Sequence, residues 1–163
     1  MKRLVARATR ACLVAIVGTV IAACGSSPSS TSNPCDLLPA QSAKSMLGTK
    51  VTQTTRPSEC DYVSSDGIYL SVSYGDSTAE NATAHSLWDR VTASNSRYKW
   101  NLTTVSGTQA LWVAYPQDVG GGGRLIAFAN RYGIYVDVNS KASSDPENTA
   151  RTALGTVLTK INR

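Results

Sequence analysis

Histidine occurs once in this chain, as His85 beside Ser86, and that scarcity narrows the chemistry open to the protein. A serine nucleophile needs a base in hydrogen-bond reach and a third group to orient that base. No Gly-x-Ser-x-Gly turn is present, so His85 is expected to be a surface or packing residue on a helix. Paired carboxylates suited to glycoside chemistry remain open by pattern. Yet Asp61, Asp66, Asp76 and Asp89 mostly fall where turns and caps favour aspartate. Gly120 to Gly123 lack the Lys-Ser/Thr that completes a phosphate loop, and the run suits a flexible hairpin connection instead.

Four cysteines carry more information. Cys12 and Cys24 lie at the N-terminal end, where Lys2, Arg3, Arg7 and Arg10 precede an uncharged stretch from Ala11 to Ala23. A basic start, a short apolar segment and small residues before a cut site mark a secretory signal. The apolar segment falls short of the roughly 20 residues a bilayer span needs. Its end, Ile21-Ala22-Ala23-Cys24-Gly25, resembles the lipobox of bacterial lipoproteins, in which the cysteine sulfur takes a diacylglyceryl group and becomes the new N-terminus. Residues 1–23 are therefore expected to be a lipoprotein signal peptide, and Cys24 the lipidation site. Cys35 and Cys60 then remain as an even pair in an oxidising compartment, which predicts one disulfide. Two cysteines and a distant His85 have no metal-ligand spacing, and no cofactor or metal is expected.

The signal also accounts for the charge. The precursor carries 16 basic and 11 acidic residues, a formal net charge of +5. Cleavage removes four basic residues and no acid, so the mature chain is close to neutral and no basic patch points to nucleic acid. Residues 24–34 form the lipidated cysteine and a Ser-rich tether with a reach of about 17 Å. Residues 35–163 are enough for one domain with a core of its own.

Within that domain Pro39 suits the first turn of a helix bearing Ala43, Met46 and Leu47 on one face, with Gly48 ending it. Short strands are expected at Val51–Thr55 and Glu59–Ser64. Ile68, Leu70, Val72 and Tyr74 then alternate with Tyr69, Ser71 and Ser73, the pattern of a half-buried strand. Ser77-Thr78-Ala79-Glu80 has capping-box spacing before a helix carrying Ala84, Trp88 and Val91. Strands follow at Thr108–Tyr115, Arg124–Asn130 and Ile134–Val138. Asp145-Pro146-Glu147 opens a last helix with a stripe of Ala150, Leu154, Val157, Leu158 and Ile161. The fold class predicted is α+β: an antiparallel sheet of about six strands, order α-βββ-α-βββ-α, with helices packed on one face.

Cys35-Asp36-Leu37-Leu38-Pro39, the helix ending Leu47-Gly48, and Cys60-Asp61-Tyr62 together resemble the actinobacterial, mycobacterial-type lipoproteins carrying domain of unknown function 3558. Those proteins often place Thr or Ser just before the proline, where this chain has Leu38. The resemblance implies an envelope location and a domain without catalytic function.

Tyr69, Trp112 and Tyr135 fall on strand faces opposite the clearest aliphatic stripes, and with helices on the aliphatic face alone they would form an exposed binding surface. The expected function is a non-enzymatic binding or accessory domain, lipid-anchored at the extracytoplasmic face of the cell membrane. Its partners would be the membrane, through Cys24, and an envelope protein, wall component or lipid. The alternatives are a lipid carrier, with a large apolar cavity between sheet and helices, and a carboxylate enzyme, with two acids converging in a cleft.

Overall fold

The computed structural model describes residues 33–48, 50–76, 83–92, 97–130, 132–139 and 145–163. The signal segment, Cys24, most of the tether and the Ser77–Glu80 capping box lie outside the described residues.

Asn33, the first described residue, accepts the Cys35 N–H at 2.9 Å, with Pro34 at the first helical position of α1 (Pro34–Leu37). Pro39 stands one position outside α2 (Ala40–Leu47) rather than in its first turn, and Gly48 ends that helix by donating to the Lys44 carbonyl. Three strands follow, β1 (Val51–Arg56), β2 (Glu59–Ser64) and β3 (Tyr69–Asp76), then α3 (Ala84–Thr92). β4 (Lys99–Val105), β5 (Thr108–Ala114), β6 (Gly123–Ala129) and β7 (Tyr132–Val138) lead to α4 (Pro146–Ile161), which Asp145 caps by accepting the Asn148 N–H at 3.0 Å.

Among the described residues, seven strands form one sheet in the order β1-β2-β3-β7-β6-β5-β4, with every neighbouring pair antiparallel. The sheet is two meanders joined through β3 and β7. The α+β class is as expected, and the strand beyond the expected six is β4. Its signals were alternating Trp100 and Leu102 and the Ser106-Gly107 connection to β5, whose two positive φ angles, 48° and 80°, are those of a tight hairpin turn.

The helices do not share one face. α1, α2 and α4 cover the first face, whose core holds Leu70, Val72, Trp112, Leu125, Ile134 and Val136 together with Leu154, Val157 and Leu158 of α4. α3 lies on the second face, over Leu111, Val113 and Ile126. The reason is in the strands. β5 and β6 are apolar at successive positions, so both of their sides need a cover. Each fully buried leucine of α4 contributes about 1.5–3 kcal/mol relative to exposure.

β2 connects this core to the site. Cys60 and Tyr62 point into the first face: Cys60 is bonded to Cys35 with a Cα separation of 5.1 Å, and the Tyr62 hydroxyl donates to the Leu38 carbonyl. Closing this 25-residue span restricts the unfolded chain and contributes about 3–4 kcal/mol in the chain-entropy account. The residues that alternate with them, Glu59, Asp61 and Val63, therefore emerge on the second face.

Candidate functional site

Among the described residues, α3 packs on the second face mainly over β4, β5 and β6. The remaining half, on β1, β2, β3 and β7, carries polar and charged side chains in register. One cross-strand row runs Thr54, Asp61, Ser71, Asp137, Arg124; the next runs Arg56, Glu59, Ser73, Tyr135. Opposite residues in such rows place their Cβ atoms about 4.5–5.5 Å apart, close enough for direct bonding.

Two networks result. In the first, Arg56 reaches Glu59 at 3.3 Å and Asp61 at 3.1 Å. Tyr69 donates to Asp61 at 2.9 Å, and the Ser71 hydroxyl donates to Glu59 at 2.8 Å. In the second, Asp137 Oδ1 accepts from Arg124 Nε at 2.8 Å and from the Tyr115 hydroxyl at 3.0 Å. The Arg124 guanidinium also lies 5.8 Å from the Tyr135 ring centroid, a cation–π distance. Tyr135 leans back over Gly133, where a Cβ would come within 3.1 Å of its hydroxyl. Between the networks lies an open basin of about 400 Å³ lined by Glu59, Tyr69, Tyr115, Arg124, Asp137 and Asn139.

Burial, followed by the neighbouring Asp137, pushes Tyr115 up to about 12; burial first and Asp61 among the later causes do the same for Tyr69. Tyr62, buried in the core near Asp36, is also raised to about 12. The Asp137 hydrogen bond is the main cause that raises Arg124. A raised tyrosine value means that the fold favours the neutral phenol. The stability contribution of these three is therefore whole below pH 10, falls as the unfolded chain ionises, and is lost as pH rises through about 12. Tyrosinate absorbance should show three of the seven tyrosines ionising near pH 12 in the native protein and near 10 after denaturation. All seven ionising near 10 while the protein stays folded would contradict this geometry.

The expected aromatic surface is divided by the fold. Tyr69 and Tyr135 are half-buried on the polar half-face, 69 beside the basin and 135 in the second row. Trp112 is only 6 % exposed and lies in the main core on the opposite side of the sheet. Its expected exposure is corrected, because α4 and α3 cover β5 from both sides. Cys35 and Cys60 are joined. His85 is exposed, 3.7 Å from Asp89, while the Ser86 hydroxyl is bonded to Thr83 in a capping arrangement at the start of α3. The glycine run is not wholly loop: Gly123 is buried as the first residue of β6.

Glu59, Asp61, Ser71, Arg124 and Asp137 were not among the expected site residues. Their signal was polarity inside otherwise apolar strands: Asp61 lies between Cys60 and Tyr62, and Asp137 between Val136 and Val138. Among the described residues no group of three or more His, Cys, Asp or Glu side chains could hold a metal ion, and no helix is long and apolar enough to cross a membrane. Comparison with protein-family models, curated proteins and solved structures finds no match to this chain.

Proposed function

We propose that this chain is a cell-envelope lipoprotein of the kind carrying domain of unknown function 3558, anchored by acylated Cys24 at the extracytoplasmic face of the membrane. Its α+β domain is a non-enzymatic binding module. The observation that carries the binding role is the polar half-face beside α3, where ion-paired and phenolic groups from four strands line one open basin. A sheet face needs no such arrangement for folding alone, since simple exposed polar residues would satisfy it. The space where a carrier would hold lipid, between the sheet and α4, is filled by Trp112, Leu125, Leu154 and Leu158. The carboxylates Glu59 and Asp61 are engaged with the same arginine, as structural partners would be.

Anchoring is tested by labelling cells with a clickable fatty acid and fractionating them. Wild-type protein should be labelled and sediment with membranes. Cys24→Ala should be unlabelled, with its mature-size species missing and any soluble form unable to bind lipid vesicles. Two acyl chains at about 0.8 kcal/mol per buried CH₂ leave little room for a partial effect. Equal labelling of the variant would overturn the assignment.

A further inference from the structure

We propose that the basin on the polar half-face binds a neutral saccharide, with Asp137 and Arg124 gripping two adjacent hydroxyls of one sugar ring. The proposal rests on the binding role argued above and adds the class of ligand.

Charge narrows the ligand first. The half-face and basin hold three carboxylates, Glu59, Asp61 and Asp137, and two guanidiniums, Arg56 and Arg124, all engaged in the ion pairs described. Two guanidiniums offset two of the three carboxylates, and the one excess negative charge disfavours an anion. What stays open is hydrogen-bonding capacity. Among the described residues Asp137 uses Oδ1 for both of its bonds, and its Oδ2 makes none. Since no buried side-chain oxygen in the described structure lacks a partner, that oxygen reaches solvent. Among the described residues Arg124 bonds through Nε alone, which leaves its terminal nitrogens as donors on a side chain 43 % exposed. An acceptor and a forked donor thus stand side by side, locked together by their mutual bond. Each hydroxyl of a vicinal diol both donates and accepts, so one can donate to Oδ2 while its neighbour accepts from the guanidinium. The Tyr115 hydroxyl, committed to Asp137, fixes the carboxylate plane in advance.

Position narrows it further. β3, β7 and β6 are interior strands, so their backbone groups are already paired and a peptide cannot add there as a further strand. The basin opens over side chains, and its volume of about 400 Å³ lies within the usual range for small-ligand sites, about 300–1,000 Å³. Behind the basin-lining Tyr115, Tyr98, 37 % exposed, meets its ring edge-on with centroids 6.0 Å apart. An amphipathic ring there offers a surface to the C–H face of a sugar.

The test is titration of the full-length acylated protein in detergent micelles, followed by calorimetry and NMR. The probes are neutral gluco-, manno-, galacto- and arabino-oligosaccharides, an oligogalacturonate as the anionic arm, and hexalysine as the cationic peptide arm. At least one neutral oligosaccharide should bind, the oligogalacturonate should bind less tightly, and hexalysine should not compete. Asp137→Asn and Arg124→Lys should each weaken binding about tenfold or more, because one charge-assisted bond is lost while the fold is kept. Thr52→Ala, at the far edge of the same face, should change nothing. A matching melting temperature for Arg124→Lys separates lost recognition from lost fold. Binding of hexalysine or the uronate at these residues, without the neutral sugars, overturns the saccharide assignment and leaves the binding role standing. Absence of every probe from this face, with an envelope partner cross-linking elsewhere on the domain, overturns both.

Discussion

Trp112→Ala should cost about 3–5 kcal/mol of folding stability and leave the polar half-face unaltered. The indole lies in the same buried cluster as Leu125, Val136 and Leu154, and its ring is packed against the backbone of Gly123. Truncation removes a large apolar surface from the core and leaves a cavity that seven paired strands cannot collapse to fill. Urea denaturation should show a lower midpoint with an unchanged slope, because the surface exposed on unfolding hardly differs. Tyr135→Ala is the comparison. Its ring is half-buried between Gly133 and the Arg124 guanidinium, so a smaller loss is expected. If the two variants lost stability equally, or if Trp112→Ala lost less than Tyr135→Ala, the assignment of the two faces of the sheet would be reversed.

That contrast shows where the sequence was legible. β3 alternates Leu70, Val72 and Tyr74 with Tyr69, Ser71 and Ser73, and the aliphatic set faces the main core as the pattern implies. The same rule fails on β5. Period-2 alternation separates one set of side chains from the other, but tells inside from outside only when one face is wet. In β5 the aliphatic set, Leu111 and Val113, faces α3, and the indole of Trp112 belongs to the larger core. Both are inside. The start of α4 was more accessible because its signal is local: Asp145 and Pro146 open it as their types require.

The polar rows were hidden for a different reason. Asp61, Ser71 and Asp137 each stood out as polar residues in their own strands, yet the pairing of Ser71 with Asp137 spans more than sixty residues of chain. No turn fixes that register. It follows from the second meander returning β7 alongside β3, a consequence of the whole sheet. Local pattern could name the polar residues of each strand. It could not bring them to one basin.

Gly123→Ala is the second large effect, and its cause is one methyl group. A Cβ at this residue would stand 2.4 Å from the Val113 carbonyl oxygen and 2.5 Å from two atoms of the Trp112 ring. Overpacking a filled core typically costs about 1–3 kcal/mol, and a neighbour made of backbone in a central ladder pushes the loss toward the upper end. Gly75→Ala, on β3 with no atom within 4 Å of the added methyl, should be close to neutral. The contrast removes glycine chemistry in general as the explanation. Combining Gly123→Ala with Trp112→Ala then divides the clash into its parts. Removing the indole frees one side of the methyl, so the double variant should be more stable than the two single losses predict, by about 0.5–3 kcal/mol. The carbonyl contact stays, so the recovery should be incomplete. Strict additivity would mean that the indole does not lie over Gly123, and with it would fall the reason why this glycine run ends inside a strand. Full recovery would place the whole cost on the indole and none on the β5–β6 ladder.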